Sequence, residues 1–497
     1  MKLKSFLAKP FASYISSKIR KGAVTALADQ DDILKTMLKV GRGTEFGKDH
    51  RLKEVDNYQA FTQAVPIRDY EAFSPYINKI KEGKHNILWK GQPIYFAKTS
   101  GTTSGVKYIP ITADSIPNHI NTARNALLCY MAETGNTAFA DGKLIFLSGS
   151  PELDRIAGIP TGRLSGIVNH HIPRYLRTNQ LPSYETNCIE DWETKLDAIV
   201  KETVDQNMTL ISGIPPWVQM YFDRLQEKTG KFIGDLFPNF SIMVHGGVAF
   251  EPYKARLFQS IGKKINALET FPASEGFFAF QDSQAAEGLL LNTASGIYFE
   301  FVPAGEIFNE TPARLSLHDV KIGENYALIV NNNAGLWGYN IGDTVKFVSL
   351  NPYRIVVTGR TKHFISAFGE HVIGEEVEQS LLKAAEKDNV HITEFTVAPM
   401  IGIDGKSCHQ WFVEFEKEPE DVNSFALKVD ANLRKKNIYY DDLVRGSILQ
   451  PLEIVPVKKG GFAGYMKSIG KLGGQNKVPR LSNDRRIADR LLQWRNN

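Results

Sequence analysis

Cysteine is scarce in this chain of 497 residues; it occurs at Cys129, Cys188 and Cys408 and nowhere else. The three lie too far apart for a disulfide framework and match no metal-ligand spacing, which excludes a stapled secreted scaffold and a cysteine-built zinc site. Charge of one sign is lacking as well. With a formal net charge of +4 and no long basic block interleaved with aromatics, nucleic acid is not the default partner. No apolar run approaches the ~20 residues that a bilayer crossing requires. Residues 1–21 mix Lys2, Lys4, Lys9, Lys18, Arg20 and Lys21 with Phe6, Leu7, Phe11, Tyr14, Ile15 and Ile19. Pro10 interrupts that pattern and no cleavage site follows, so the segment reads as a docked first helix rather than a signal peptide or a membrane-surface helix. Internal repeats and low-complexity segments are also missing. What remains is a globular composition, 42% hydrophobic, able to build two or three domains in a reducing, cytoplasmic setting.

The stretch around which the chain is organised is Thr99-Ser-Gly-Thr-Thr-Ser-Gly-Val-Lys107. Apolar segments flank it, Ile94 to Ala97 and Val106 to Ile109, so it reads as a tight connection between two strands. Gly101 and Gly105 allow positive φ and leave backbone N–H groups free to surround an anion. Ser100, Thr102, Thr103 and Ser104 add hydroxyl donors and Lys107 a compact cation, a set that suits a polyphosphate. A Walker loop would place Lys directly after Gly and open a helix, whereas Val106 separates Gly105 from Lys107 and a β-branched run follows. A solvated Ser/Thr/Gly hairpin remains the alternative for the loop taken alone.

Residues 31–83 carry short helical patterns with aromatic anchors at Phe46, Tyr58, Phe61, Tyr70 and Phe73. Beyond the loop, helical periodicity over 113–135 places Thr112 at the N-cap. Leu144 to Leu147 reads as a strand and 149–165 as a glycine- and proline-rich loop. Helices over 192–204 and 215–228 alternate with strands over 208–211 and 241–244, the pattern of an α/β domain with a largely parallel sheet, whose ligands gather beyond the strand ends. Gly246 and Gly247 follow one such end and would let a flat purine approach, although a bare Gly-Gly after a strand is more often only a turn. Phe271 offers an aromatic face, Ser274 a hydroxyl, and Glu275 a carboxylate for a hard cation beside phosphates. Asp343, after Gly342, suits two ribose hydroxyls, with a turn-forming role as the alternative. A smaller α+β unit begins near Gly359-Arg360, and it ends in a cation-rich glycine loop over 467–480. His170 and His171 lack a third metal ligand and read as solvated or core residues.

Taken in order, these segments resemble the adenylate-forming superfamily and, within it, the Gretchen Hagen (auxin-responsive) family of acyl acid amido synthetases. The segments that carry the likeness are Thr99 to Lys107, Thr270-Phe-Pro-Ala-Ser-Glu275, Tyr298-Phe-Glu-Phe301, Gly335-Leu-Trp-Gly-Tyr-Asn-Ile-Gly-Asp343 and Asn476-Lys-Val-Pro-Arg480. The resemblance implies a ligase that activates a carboxylic acid with ATP and Mg²⁺ and then joins the acyl group to an amine, typically of an amino acid. It implies a large N-terminal domain of mixed sheets, helices and a β-rich portion over 1–358. A smaller mobile α+β domain over 359–497 would carry Lys477. Ser100, Gly101, Thr102, Thr103, Ser104 and Lys107 would hold the β- and γ-phosphates. Phe271 would stack on adenine, backed by Gly246 and Gly247, while Ser274 would touch the α-phosphate and Glu275 would carry Mg²⁺. Asp343 would bind the ribose hydroxyls with help from Arg360, and Lys477 would bridge the attacking carboxylate and the α-phosphate.

Two departures stand out. Phe271 replaces the usual tyrosine, and Asn340 replaces an arginine two residues before Gly342-Asp343. An acyl-CoA or aryl-CoA ligase with the same adenylate, and a nucleotide-binding protein that no longer turns over, remain alternatives. The acyl pocket is expected between residues 113–135 and 163–177.

Overall fold

Apolar β-branched runs alternate along the chain with amphipathic stretches, and in the computed structural model each becomes a strand or a helix. The structure describes residues 3–100, 106–172, 177–247, 250–361, 365, 372–400, 407–445, 449–473, 477–482 and 484–495. In chain order the strands are β1 (Tyr95–Ser100), β2 (Val106–Ile111), β3 (Lys143–Phe146), β4 (Asp154–Ile156), β5 (Ile159–Gly162) and β6 (Gln180–Leu181). They continue with β7 (Met208–Ser212), β8 (Ile242–Gly246), β9 (Asn266–Ala273), β10 (Gly276–Phe280), β11 (Leu289–Leu291) and β12 (Ile297–Pro303). The last are β13 (Asn325–Asn332), β14 (Tyr339–Leu350), β15 (Tyr353–Arg360), β16 (His391–Met400), β17 (Cys408–Lys417) and β18 (Glu453–Val457).

The chain divides into two compact units, one of residues 1–250, 257–341 and 345–356, the other of 251–256, 342–344 and 357–497. An eleven-stranded sheet runs β12-β13-β14-β15-β11-β10-β9-β8-β7-β3-β6, and a four-stranded sheet runs β2-β1-β5-β4. The expected α/β architecture is therefore present. The parallel character is confined to one half, where β6, β3, β7, β8 and β9 pair in parallel, while β9-β10-β11-β15 and β12-β13 are antiparallel. The β-rich portion is thus a continuation of the same sheet. Short turns explain the change of sense: Ser274 and Glu275 join β9 to β10, too few residues for a crossover helix.

The second unit holds the sheet β16-β17-β18, antiparallel then parallel, with the helices Gly374–Asp388 and Val422–Lys436 covering it. Val377, Leu381, Val397, Trp411, Val413 and Val429 are buried together there.

Two local readings change. The helix after β2 begins at Ile116, not Ala113, and Thr112 is not its N-cap. Pro117 at the first turn fits the later start. Thr112 instead donates its hydroxyl to Asn333 O at 2.7 Å and accepts from Ser115 N at 3.1 Å. The stretch 149–165, expected as a loop, contains the β4-β5 hairpin, because β5 finds a partner in β1 that local sequence does not announce. The first helix, Leu3–Val24, does dock: Ala12 is fully buried among Leu128, Tyr130 and Phe139. Among the described residues no helix is long and apolar enough to cross a membrane.

A buried ion pair anchors the helical entry region to the sheet. Glu300 on β12 is wholly buried and receives Arg314 Nε and NH2 at 3.0 and 2.7 Å, Tyr58 OH at 3.1 Å and Asn331 Nδ2 at 2.9 Å. Every carboxylate oxygen is satisfied, so removing one partner strands a charge. Arg314→Met is expected to cost about 3–5 kcal/mol by chemical denaturation, whereas a loss below about 1 kcal/mol would show the pair to be screened like a surface pair.

Candidate active site

The hydroxyl-rich connection joins antiparallel strands, as its flanks require: Thr99 pairs with Lys107 and Ser100 with Val106. A strand, not a helix, follows it, which removes the Walker reading. Gly101, Thr102, Thr103 and Ser104 lie outside the described residues, and Ser100 closes β1. Lys107 sits on β2 with its ammonium 5.6 Å from the centre of the Tyr70 ring. Tyr70 is held in turn by a bond from Tyr108 N to its hydroxyl oxygen, 2.9 Å. A desolvated aromatic face of this kind steadies a cation without neutralising it.

The second motif occupies the β9-β10 turn. Ser274 is buried and Glu275 half-buried, and the main-chain oxygen of Glu275 accepts from Asn332 Nδ2 at 2.7 Å. The Glu275 side chain accepts from the hydroxyl of Tyr339, the first residue of β14. Burial, and then the Glu275 carboxylate, hold the Tyr339 phenol well above its ordinary range, so it stays a donor. Tyr70 also lies within electrostatic reach of Tyr339. Lys107, Tyr70, Tyr339 and Glu275 therefore form one array from four separate stretches of chain.

Phe271 is 6% exposed, with its ring edge-on to Phe278 at 5.2 Å, so most of its surface is engaged in the core. Gly246 pairs with Thr270, and a Cβ at this position would fall 2.2 Å from Thr270 O. Close approach of β8 to β9 is thus a sufficient reason for this glycine. Gly247 takes the left-handed conformation, φ +79°, that ends β8. His170 and His171 point to different partners, Pro151 O at 2.8 Å and Tyr95 OH at 3.1 Å, in keeping with ordinary packing.

The remaining residues gather in the second unit. Gly342 has φ +85°, and the next residue, Asp343, accepts from Arg360 Nε at 2.8 Å. The Lys477 ammonium stands in the field of this pair. Its pKa falls to about 8, first through local desolvation and then through Arg360, with Asp343 opposing, while the residue as a whole is exposed. The chain beyond Lys477 is pinned to β16: Val397 N donates to Arg480 O at 2.9 Å and Thr396 Oγ1 to Pro479 O at 2.6 Å. Arg480 is clamped by ion pairs to Glu394 and Glu378, donates to Tyr253 OH at 2.7 Å, and lies 4.4 Å above the Phe395 ring. Among the described residues no group of three or more His, Cys, Asp or Glu side chains is placed to hold a metal ion by itself.

With this geometry in view, comparison with known proteins is decisive. The sequence matches the GH3 family N-terminal domain over residues 17–186, the GH3 family central domain over 290–360 and the GH3 family C-terminal domain over 375–486. The chain belongs to the GH3 family. Among GH3 relatives, the jasmonoyl–L-amino acid synthetase JAR6 of Nicotiana attenuata is 21% identical, covering 91% of this chain and 90% of its own. The indole-3-acetic acid-amido synthetase GH3.15 of Arabidopsis thaliana is 23% identical, covering 91% and 89%. A solved structure named GH3.15 acyl acid amido synthetase superposes with a TM-score of 0.77 at 17% identity, over 95% of this chain and 94% of that one. Outside the GH3 family, 2-hydroxyisobutyryl-CoA ligase in its postadenylation state shares the fold, with a TM-score of 0.59 at 12% identity over 94% and 92%.

Three residues that brace motif residues, two in the array of the first unit and one in the second unit, were not singled out by sequence. Tyr70 reads only as an aromatic anchor, Tyr339 lies unmarked inside the Gly335–Asp343 segment, and Arg480 simply closes the Lys477 motif. Asn340, read from the sequence as a departure from the family pattern, donates its N–H to Arg68 O at 2.8 Å, so the backbone of an arginine runs alongside. Because Arg360 opposes protonation of Lys477, Arg360→Gln is expected to raise the Lys477 pKa above about 8. A lysine-selective NMR titration checks the sign; an unchanged or lower value would remove Arg360 from the site's electrostatics.

Proposed function

We propose that this chain adenylates a carboxylic acid with ATP and transfers the acyl group to the amine of an amino acid, as an acyl acid amido synthetase. The observation that carries the reading is the convergence of Lys477 with the Asp343–Arg360 pair, which precedes it by more than a hundred positions of sequence.

Carboxylate attack on ATP brings anion against anion, so the barrier falls only where cations await the charge that develops at phosphorus. One carboxylate oxygen bonds to the α-phosphorus while the bond to pyrophosphate breaks, giving a mixed anhydride. Ser100, Gly101, Thr102, Thr103, Ser104 and Lys107 would restrain the leaving pyrophosphate, and Ser274 would contact the α-phosphate. Asp343 and Arg360 would hold the ribose, and Phe271, with Gly246 and Gly247 behind it, would border adenine. Lys477 would sit between the attacking oxygen and the α-phosphate. The lone carboxylate of Glu275, already oriented by Tyr339, suits Mg²⁺ shared with ATP phosphates, since that ion commonly takes one or two protein carboxylates and leaves its other positions to phosphate and water. When bound there, Mg²⁺ supplies charge neutralisation at the phosphates.

The amine nitrogen then attacks the acyl carbon, the bond to AMP breaks, and the amine proton leaves to solvent. No protein nucleophile is needed, because the anhydride is already the activated donor. The division into domains at 358/359, with Gly359 and Arg360 as a hinge that delivers Lys477 and later admits the amine, belongs to the same proposal. So does the cytoplasmic setting, with which the free thiols of Cys129, Cys188 and Cys408 are compatible.

Acid-dependent exchange of labelled pyrophosphate into ATP, followed by mass spectrometry of products with amino acids or CoA, tests the reading. Amide is expected, and thioester without amide would overturn it. Lys477→Ala is expected to lower exchange by about 10²–10³ or more with ATP affinity retained, whereas Lys107→Ala should weaken ATP binding together with rate. Lys477 acts protonated, so kcat/KM for adenylation should fall as pH rises through about 8, and Lys477→Arg should move that limb upward. A limb unmoved by Lys477→Arg would assign the titration to another group.

A further inference from the structure

A second cationic constellation lies at the end of β5. β5 runs parallel to β1, with Phe96 opposite Thr161 and Ala97 opposite Gly162. Arg163, the next residue, therefore emerges beside the stretch of β1 that leads into the hydroxyl-rich connection. Its stem crosses Gly149, where a Cβ would fall 2.4 Å from Arg163 Cδ, so the glycine keeps a channel open for the side chain. Ser165 Oγ accepts from Gly149 N at 3.2 Å and braces that crossing.

Next to it, Lys195 is 3% exposed and donates to two neutral carbonyls, Ser148 O at 3.0 Å and Asn187 O at 2.7 Å. An ammonium has three protons, and these carbonyls use two. Burial pushes the Lys195 pKa down to about 8, the neighbouring Cys188 thiol opposes this and Arg163 adds to it, and no carboxylate contributes to the environment of either cation. Among the described residues the Arg163 guanidinium has no hydrogen-bond or ion-pair partner, and the buried Ser148 hydroxyl has none either.

Two partly or wholly desolvated cations side by side, with no counter-charge, are costly to maintain. Arg163 cannot relieve the cost by losing its proton. Two other buried arginines of this chain each have a carboxylate, Arg314 with Glu300 and Arg354 with Asp282. The missing charge at Arg163 is best supplied by a ligand, and the planar five-donor fork favours a carboxylate.

That carboxylate is not the one adenylated. On forming the anhydride the reacting carboxylate loses its charge, and cations that had bound it tightly beforehand would stabilise the ground state and oppose the step. A spectator anion, charged throughout the reaction, fits. We propose that Arg163, Lys195 and Ser148 form a subsite for a carboxylate that a substrate carries in addition to the reacting group. It is either the second carboxylate of a dicarboxylic acid or the α-carboxylate of the acceptor amino acid. The identity of these two sources rests on the amide-forming reading; the anion site itself does not.

The test uses the full chain with calorimetric titration of glutarate against butyrate, and of leucine against leucinamide, together with the KM of each. Wild type should prefer the more anionic member of one pair by about tenfold or more, and the pair that shows the preference names the source. Arg163→Met should erase it, Arg163→Lys should keep part of it, and both should retain the ATP affinity of wild type. Should Arg163→Met fold poorly, Ser148→Ala, which leaves both cations in place, is expected to lower the preference by a smaller factor. A preference unchanged in Arg163→Met, or absent from both pairs in wild type, overturns the subsite. Loss of the preference in Arg163→Met without any pyrophosphate exchange in wild type would keep the subsite and remove the ligase reading. Normal exchange with an unaltered preference would do the reverse.

Discussion

A hydrogen bond from the Tyr339 hydroxyl to the Glu275 carboxylate ties the β9-β10 turn to the start of β14. Tyr339 is almost wholly buried, so its hydroxyl must find a partner, and the partner it finds is a motif carboxylate. The bond sets the direction of Glu275 before any ligand arrives. Through Tyr70 the same array reaches Lys107, the cation at the end of the phosphate-type connection. Preorganisation of this sort lets charged groups act without reorganising at the moment of reaction.

Charge is managed differently at different places in the chain. Glu300 with Arg314, and Asp282 with Arg354, are closed pairs whose oxygens and donors are spent on one another, and they serve the fold. Asp343, Arg360 and Lys477 form an open set: two cations share one carboxylate, and the lysine is left with a lowered pKa. Arg163 and Lys195 go further, with no carboxylate at all. The degree of compensation separates the pairs that hold the protein together from the groups proposed above to meet anions.

The anchoring of Lys477 follows the same logic. A lysine in a glycine-rich segment would sample many positions, and each one lost on ordering costs entropy. Arg480, three residues on, is held by two glutamates, a tyrosine hydroxyl and an aromatic face, and its backbone bonds to β16. The end of the segment is thereby fixed while the lysine itself remains exposed.

Local sequence was enough to mark the motif residues, the strands flanking the hydroxyl-rich connection and the alternation of the α/β half, because each depends on spacing within a few positions of the chain. Asp343 and Arg360 are readable in this way, as are Lys107 and Glu275. It was not enough for the single eleven-stranded sheet, the β4-β5 hairpin or the true start of the helix at Ile116, since those depend on partners contributed by remote strands. Gly246 could be seen as unusual, but only the facing Thr270 carbonyl explains it. Tyr339 and Tyr70 looked like ordinary core residues, and Arg163 was marked only as one end of a segment expected to border the acyl pocket. Their roles come from which charges lie beside them and which do not, a property of packing in three dimensions that no linear pattern encodes.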